Sequence, residues 1–293
     1  MAKYVPDILS RRWVIISSQR VGRPDNFDGG NAICPFCPGN EHTTGKVTVG
    51  YMPLGVEDPR EWILRVIPNK YPITDYHEVV IHSRDHKSDI EDFPLSHVEL
   101  LLKAYKDRYD YYRNKGQVLI FGNHGEHAGA SIEHPHSQLV VIPFQINLDT
   151  LAREPLNNMV ESTKHFNVYC PDFSQWPYEV WIAPKKENTV FGDITDHELS
   201  DLAVIMQQMI QRIKHIFDEH RVSHIPFGYN FYISPKENWY LRIIPRFVHR
   251  AGFELGTGLE VNVVDPSDAA LELKGMDEKV VHVLSKLKTN TDK

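Results

Sequence analysis

Two hydrophobic periods alternate along the first half of the chain. Residues 62–67 and 78–81 are rich in β-branched and apolar side chains, as buried strands are. A helical period begins after Asp92. Its apolar stripe consists of Val98, Leu101, Leu102, Tyr105, Tyr109 and Tyr112. Apolar runs at 117–121 and 139–143 predict two more strands, so the unit reads strand, helix, strand, strand.

The second half of the chain repeats this order. Residues 179–182 form a predicted strand, 197–217 a predicted helix, and two further apolar runs end at 243–245. The second helix has its apolar stripe at Leu199, Leu202, Ile205, Met206, Met209 and Ile213. Superposing Glu78 on Glu179 also brings the two helices into line. We therefore predict an internal repeat.

This repeat sets the expected fold class and domain organisation. We expect an α+β fold of two repeats, each a mainly antiparallel sheet with a packed helix. The boundary is predicted near the middle of the chain, with one domain at residues 1–150 and the other at 151–293. Many α+β domains share this order of elements, so two unrelated domains remain the alternative.

Composition excludes several classes of protein. With 293 residues, 41% hydrophobic and 24% charged, the chain resembles soluble globular proteins, and no apolar run is long enough for a membrane span. A net charge of -7 without a basic run argues against a nucleic-acid partner. The first residues lack the apolar run of a secretory signal, so a cytoplasmic location is expected.

The segment from His134 to Gln138 reads His-Pro-His-Ser-Gln and carries the candidate chemistry. In an extended strand His134, His136 and Gln138 point to one face. Pro135 cannot donate to a sheet ladder, so we expect this segment at a sheet edge or bulge. Neutral imidazole is an adequate nucleophile near pH 7, and attack on the α-phosphorus of a nucleotide expels a phosphate ester. His136 is the predicted nucleophile.

The loop before this segment is rich in small residues and predicts a phosphate cradle. Around Gly129 and Ala130 the backbone N–H groups could approach an anion. The Ser131 hydroxyl and the Gln138 amide are further predicted donors to phosphate oxygens. Glu254, next to Gly252 and Phe253, could accept hydrogen bonds from two sugar hydroxyls. The alternative is that the glycines around Glu254 merely shape turns.

Cys34 and Cys37 form a C-x-x-C pair, a spacing that metal sites and redox motifs share. A tetrahedral zinc site needs two more ligands, and because no second cysteine pair exists we predict His86 and His134. This single zinc ion would be structural, fixing the strand beside His136. The alternative is a C-x-x-C pair that only caps a turn. Cys170 is predicted to be a buried thiol.

Together these residues resemble the galactose-1-phosphate uridylyltransferases, a branch of the histidine-triad superfamily whose members contain two related domains of this type. The resemblance runs nearly end to end. It rests on Arg20, Arg23 and Pro24, the segments 34–40 and 69–72, Asp85 and His86, Asn123, the segments 129–131, 134–138 and 251–258, and Asn262.

The resemblance implies roles for most of these residues. His136 would carry the nucleotidyl group, and Gln138, in place of a third histidine, would bind phosphate, as in transferases rather than hydrolases. The zinc ligands match Cys34, Cys37, His86 and His134. Residues touching the nucleotide or its phosphates match Asn69, Asn123 and Ser131, with Arg20 and Arg23 nearby. A homodimer with active sites that borrow residues across the interface is also implied.

Two departures keep the activity open. The family often has a second metal site in the second repeat, but Tyr240 and Arg242 stand at its H-x-H pair, so no second metal is expected. Ser137 replaces the usual glycine after the nucleophile, a substitution that the related ADP-glucose phosphorylases accept. The favoured hypothesis is uridylyl transfer from UDP-glucose to a hexose 1-phosphate.

Two other hypotheses remain. One is phosphorolysis or adenylyl transfer through an AMP-His136 intermediate, from ADP-glucose or a dinucleoside polyphosphate, with inorganic phosphate as acceptor. The other is a non-catalytic, zinc-stabilised nucleotide-binding protein. Retention of both His136 and Gln138 argues against the second.

Overall fold

A computed structural model describes residues 2–7, 12–23, 33–148, 151–219 and 226–275 of the chain. Its strands are β1 Lys3–Pro6, β2 Trp13–Ile16, β3 Val49–Tyr51, β4 Leu64–Pro68, β5 His77–Ile81, β6 Gln117–His124, β7 His136–Ile142, β8 Met159–Ser162, β9 Phe166–Tyr169, β10 Val180–Pro184, β11 Tyr229–Ile233 and β12 Leu241–Pro245. The helices are α1 Leu95–Tyr112, α2 Asp196–Glu219 and α3 Gly252–Thr257, and residues 266–275 are also helical. None of the described helices could span a membrane.

Ten strands form one antiparallel sheet in the order β3-β4-β5-β7-β6-β11-β12-β10-β9-β8, while β1 and β2 form a separate hairpin. From the central pair β6 and β11, the two halves have the same order outwards. At the centre Phe121 pairs with Tyr232. This arrangement confirms the predicted α+β fold of two histidine-triad-like repeats. Residues 149–150, where the domain boundary was predicted, lie outside the described residues, so the boundary stays a prediction.

Both long helices pack on one face of the sheet, and every residue of the two predicted helix stripes is buried there. The main core cluster is continuous from α1 to α2 and includes apolar residues of both repeats. Gln207 of α2 donates to the carbonyl oxygens of Ile90 and Phe93, at 2.8 and 2.7 Å. The burial of both stripes confirms the helical periods, and the shared core joins the repeats.

The superposition of Glu78 on Glu179, in contrast, is wrong. Glu78 accepts hydrogen bonds from Arg108 and Tyr112 of α1, so it lies on the helix face of the sheet. Glu179 instead bonds to Trp181 and to Arg242, on the opposite face. Successive strand residues alternate between faces, so aligning these two residues shifts one strand by an odd number of positions.

On the sheet face away from α1, a small apolar cluster of Phe36, Trp62, Ile67, Val79 and Ile81 anchors the chain around Cys34. Trp62 donates its indole N–H to Glu41, at 2.8 Å, which ties the same segment to the sheet. These contacts hold residues 34–41 over β4 and β5 of the first repeat. That placement builds one wall of the site described next.

Candidate functional site

The strand β7 begins at His136 and lies between β5 and β6, with His136 opposite Ile81 and Gln138 opposite Val79. The predicted position at a sheet edge or bulge is therefore wrong. Pro135 comes just before the first paired residue, where no ladder N–H is needed, and its carbonyl oxygen accepts the N–H of His82 at 3.1 Å. A proline before the strand is thus compatible with a central strand.

The His136 imidazole is held in one tautomer. Its Nδ1 lies 2.9 Å from the carbonyl oxygen of His134. A carbonyl oxygen can only accept, so Nδ1 carries the hydrogen and Nε2 keeps a free lone pair. Burial lowers the pKa of His136 to about 4. The ring is therefore neutral near pH 7, as a nucleophile must be, and Phe36 packs against it edge-on at 5.2 Å.

His136 and Gln138 open onto a cavity of about 270 Å³. Cationic side chains of Arg20, Arg23 and Lys70 line it, and an apolar wall includes Ile67 and Ile132. Other lining residues are Phe36, Thr43, Thr44, Asn69, Tyr71, Val79 and Ser131. Positive charge beside an apolar wall suits a ligand that joins phosphates to a flat base.

Of the predicted phosphate cradle, Ser131 lines this cavity, but Gly129 and Ala130 do not. Arg23 Nε donates to Ser131 Oγ at 3.0 Å, which leaves the Ser131 hydroxyl hydrogen available to another acceptor. The N–H groups of Gly129 and Ala130 instead donate to the carbonyl oxygens of Glu126 and Gly125 within the loop. Gly129 has a φ of 79°, which favours glycine. Anion binding by these two N–H groups stays a prediction.

Two other predicted site residues lie outside the cavity lining. Asn123 accepts a hydrogen bond from Asn230 of β11 at 2.8 Å, and Asn230 also donates to the carbonyl oxygen of Ala128. Glu254 is half-buried on α3, where its carboxylate accepts the N–H of Ala251 at 2.9 Å. Their contacts with substrate stay predictions.

His77 is among the polar residues of the site to which the sequence analysis gave no role. His77, the first residue of β5, is buried and donates to Gln138 Oε1, 3.0 Å from its Nε2. The signal was present, because His77 lies two and four residues before Val79 and Ile81 and so shares their face. His77 was not selected from the sequence because it stands just before the apolar run at 78–81.

The four predicted metal ligands lie together. Each of Cys34, Cys37, His86 and His134 offers an atom within 4.8 Å of the others. Cys37 Sγ is 3.3 Å from His86 Nδ1 and 3.5 Å from His134 Nδ1. Tetrahedral zinc with bonds of about 2.3 Å to sulfur and about 2.0 Å to nitrogen requires separations of this size. The donor set therefore fits zinc.

The outer nitrogens of both histidines also fit a metal site. His134 Nε2 donates to the carbonyl oxygen of Ser83 at 2.9 Å, and His86 Nε2 lies 3.4 Å from the carboxylate of Glu133. Such contacts leave Nδ1 free to bind a metal. Burial and the neighbouring Cys34 raise the pKa of Cys37 to about 11, an effect that a cation between the thiols would reverse.

A second group with metal-ligand side chains, Asp89, Glu91 and His124, is already engaged by protein groups. Asp89 accepts from His124 at 2.8 Å and also from His82, and Glu91 pairs with Lys214. In the second repeat, Tyr240 and Arg242, which the resemblance aligns with a metal-binding pair, also contact other side chains. Tyr240 stacks on Trp181 at 4.0 Å, and Arg242 pairs with Glu179.

Comparison with known proteins agrees with this site. Residues 107–242 match the galactose-1-phosphate uridyl transferase C-terminal domain, and residues 16–144 match the N-terminal domain of a family of unknown function, DUF4931. ADP-glucose phosphorylase of Arabidopsis thaliana is 27% identical over 90% of both chains. Galactose-1-phosphate uridylyltransferase of Thermotoga maritima is 24% identical over 93% of this chain and 98% of the relative.

Solved structures of related proteins show the same similarity. The crystal structure of the Arabidopsis thaliana ADP-glucose phosphorylase with bound ADP-glucose covers 94% of this chain and 99% of its own, with 26% identity and a TM-score of 0.69. A uridylyltransferase structure shares the fold at a TM-score of 0.72, with 21% identity over 95% of this chain and 99% of its own. Fold and site thus define a nucleotidyltransferase of the histidine-triad type. The chain is similar both to galactose-1-phosphate uridylyltransferases and to an ADP-glucose phosphorylase, that is, to transferases and phosphorylases.

Proposed function

We propose that this chain transfers a nucleotidyl group from a nucleoside diphosphate sugar to a phosphate-bearing acceptor, through a covalent intermediate on His136. The observation that carries the proposal is the fixed tautomer of His136. Its Nδ1–H is bonded to the carbonyl oxygen of His134, and the ring lines a cationic cavity. A neutral Nε2 lone pair in such a cavity is suited to attack on phosphorus.

In the first step, His136 Nε2 attacks the α-phosphorus, the N–P bond forms, and the bond to the bridging oxygen breaks. The sugar 1-phosphate leaves with that electron pair, and a phosphate ester needs no strong general acid to leave. The imidazole becomes cationic, and its hydrogen bond from Nδ1 to the His134 carbonyl oxygen stabilises that charge. In the second step, an acceptor phosphate oxygen attacks the same phosphorus and releases Nε2.

The remaining groups of the cavity would bind charge rather than exchange protons. Arg20, Arg23 and Lys70 would neutralise the phosphates. The Ser131 hydroxyl and the Gln138 amide would donate to the non-bridging oxygens, whose charge is redistributed in the transition state. A zinc ion at the cluster of two cysteines and two histidines would hold the backbone of His134, and with it the acceptor of the His136 hydrogen bond.

Two combinations of nucleotide-sugar donor and phosphate acceptor fit this site, and different observations support each of them. Uridylyl transfer from UDP-glucose to galactose 1-phosphate is supported by the C-terminal domain match over residues 107–242 and by the Thermotoga maritima relative. Phosphorolysis of ADP-glucose is supported by the relative with 27% identity and by Ser137. We give both pairs equal standing. The homodimer and the cytoplasmic location also stay proposals.

Product analysis separates the two pairs. The zinc-loaded protein would be incubated with UDP-glucose or ADP-glucose, each with galactose 1-phosphate or inorganic phosphate, and the nucleotides separated by ion-exchange chromatography. UDP-galactose from the first donor and acceptor identifies a uridylyltransferase. ADP and glucose 1-phosphate from the second donor with inorganic phosphate identify a phosphorylase. Consumption of neither donor would contradict the proposal of nucleotide-sugar transfer.

A further inference from the structure

His77 is buried beside Gln138, one of the groups proposed to contact the phosphate. The two side chains lie on the neighbouring strands β5 and β7, and His77 Nε2 is 3.0 Å from Gln138 Oε1. Asn69 Nδ2 approaches the same oxygen at 3.4 Å. The exposed fractions of His77 and Gln138 are only 5% and 6%. Water therefore cannot easily replace these contacts.

Backbone groups fix how His77 and Asn69 are oriented. The N–H of Ile73 donates to His77 Nδ1 at 2.9 Å, so Nδ1 is the acceptor of the ring. Burial lowers the pKa of His77 to about 4, so the ring is neutral and its one hydrogen lies on Nε2. In the same way, the N–H of Tyr71 donates to Asn69 Oδ1 at 2.8 Å, so the Asn69 N–H₂ group lies beside His77 Nε2, at 3.1 Å, and both face Gln138 Oε1.

The donors on His77 and Asn69 allow the carboxamide of Gln138 only one orientation. If the amide were turned over, its N–H₂ group would meet the Nε2–H of His77 and the N–H₂ of Asn69, and three donors would face one another without an acceptor. A buried polar group without a hydrogen-bond partner destabilises the folded state. Gln138 Oε1 is therefore held towards His77. The N–H₂ group is left for the cavity that Gln138 lines.

We infer that His77 is a positioning residue, which holds the carboxamide of Gln138 so that its N–H₂ group faces the phosphate being transferred. The inference rests on the proposed function, since it assigns a task to Gln138 in that reaction. His77 itself contacts Gln138 and does not line the cavity. Its effect should therefore pass through Gln138 alone.

Two substitutions of His77 separate its two hydrogen bonds. His77→Asn keeps an acceptor near the N–H of Ile73 but is too short to donate to Gln138. His77→Gln is long enough to place an amide N–H₂ where Nε2 lies. We expect His77→Asn to slow nucleotidylation of the protein by about tenfold to a hundredfold, less than the roughly hundredfold to thousandfold that outright loss of an aligned donor causes. His77→Gln should recover to within about threefold of the wild type.

A double-mutant cycle with Gln138→Ala provides the decisive comparison. The rate of adduct formation would be followed by quenched intact-mass measurements with the donor that the wild type uses. Without Gln138, the His77→Asn substitution should change this rate by less than about twofold. An equal slowing in both backgrounds would overturn the inference, as would a His77→Gln variant as slow as His77→Asn. A wild type that forms no adduct would overturn the proposed function as well.

A measurement on the resting wild type tests the tautomer without any turnover. A long-range proton–nitrogen NMR spectrum distinguishes the two nitrogens of a neutral imidazole. We expect the hydrogen of His77 on Nε2 throughout the neutral pH range. A hydrogen on Nδ1, or a protonated ring at pH 7, would remove the donor to Gln138 and overturn the inference.

Discussion

His136→Ala is expected to lower turnover of the nucleotide sugar by about 10⁴-fold or more, with little change in the free energy of unfolding. The large effect follows because no second nucleophile replaces the imidazole, and transfer would need direct attack by the acceptor. The small structural effect follows from the position of the ring, which lines a cavity instead of filling the main core. Initial rates of product formation and denaturant titrations measure both quantities.

His127→Ala is a suitable control for this substitution. His127 lies in the loop that precedes Gly129, where its ring packs against His249 at 5.3 Å, but it does not line the cavity. Its substitution should leave turnover within about threefold of the wild type, because it removes no group that the reaction uses. If His136→Ala kept a tenth of the wild-type rate, the covalent route would be contradicted.

Removal of one metal ligand by Cys37→Ser is expected to release zinc and to destabilise the fold. If zinc is present at a thousand times its dissociation constant, its loss lowers the free energy of unfolding by about 4 kcal/mol. Turnover should fall too, because His134 supplies both a metal ligand and the carbonyl oxygen that orients His136. Elemental analysis and denaturant titration of the purified protein test both expectations.

Cys170→Ser is the matched control for the metal. Cys170 is a free cysteine like Cys37, but it is buried in the main core and does not belong to the metal-ligand group. This variant should keep one zinc ion per chain. Zinc content unchanged by Cys37→Ser, or absent from wild type purified without chelator, would contradict a structural zinc site.

Local patterns predicted the two long helices and the grouping of four metal-ligand side chains well. The stripes of α1 and α2 are buried as expected because helical periodicity reports directly which face packs. The metal ligands were also predictable. Zinc chemistry admits few side chains, so a single cysteine pair indicated histidines as the other ligands, and the family resemblance supported His86 and His134. The structure brings these four residues together.

Register and pairing were harder to predict, because each depends on partners far along the chain. Glu78 and Glu179 look equivalent in sequence, yet each faces the side of the sheet where its arginine lies, Arg108 in α1 or Arg242 in β12. Pro135 suggested an edge strand, since the sequence does not reveal that β7 starts one residue later. A shift of one residue decides such questions in a strand.

The roles of Asn123 and Glu254 could not be derived from local sequence either. Asn123 bonds to Asn230 of the other repeat, a contact between strands that pair only in the folded sheet. Glu254 lies on a short helix outside the cavity lining, and its local sequence does not distinguish a sugar contact from a turn. His77 was missed because its importance depends on the neighbouring strand that carries Gln138.

The second repeat differs from the first at the positions that correspond to His136 and Gln138. Where the first repeat has His136 and Gln138 beside an open cavity, the second has Tyr240 stacked on Trp181 and Arg242 bonded to Glu179. Tyr240 and Arg242 therefore make contacts with other side chains of the same sheet.

The central claim, a covalent nucleotidyl group on His136, is tested most directly by intact-mass and peptide mapping of the wild type after brief exposure to UDP-glucose or ADP-glucose. The account predicts one UMP or AMP group per chain, acid-labile as a phosphoramidate is, on the peptide that contains His136. Addition of the acceptor should remove it. An adduct on another residue, or no adduct with a donor that the protein demonstrably consumes, would contradict the account.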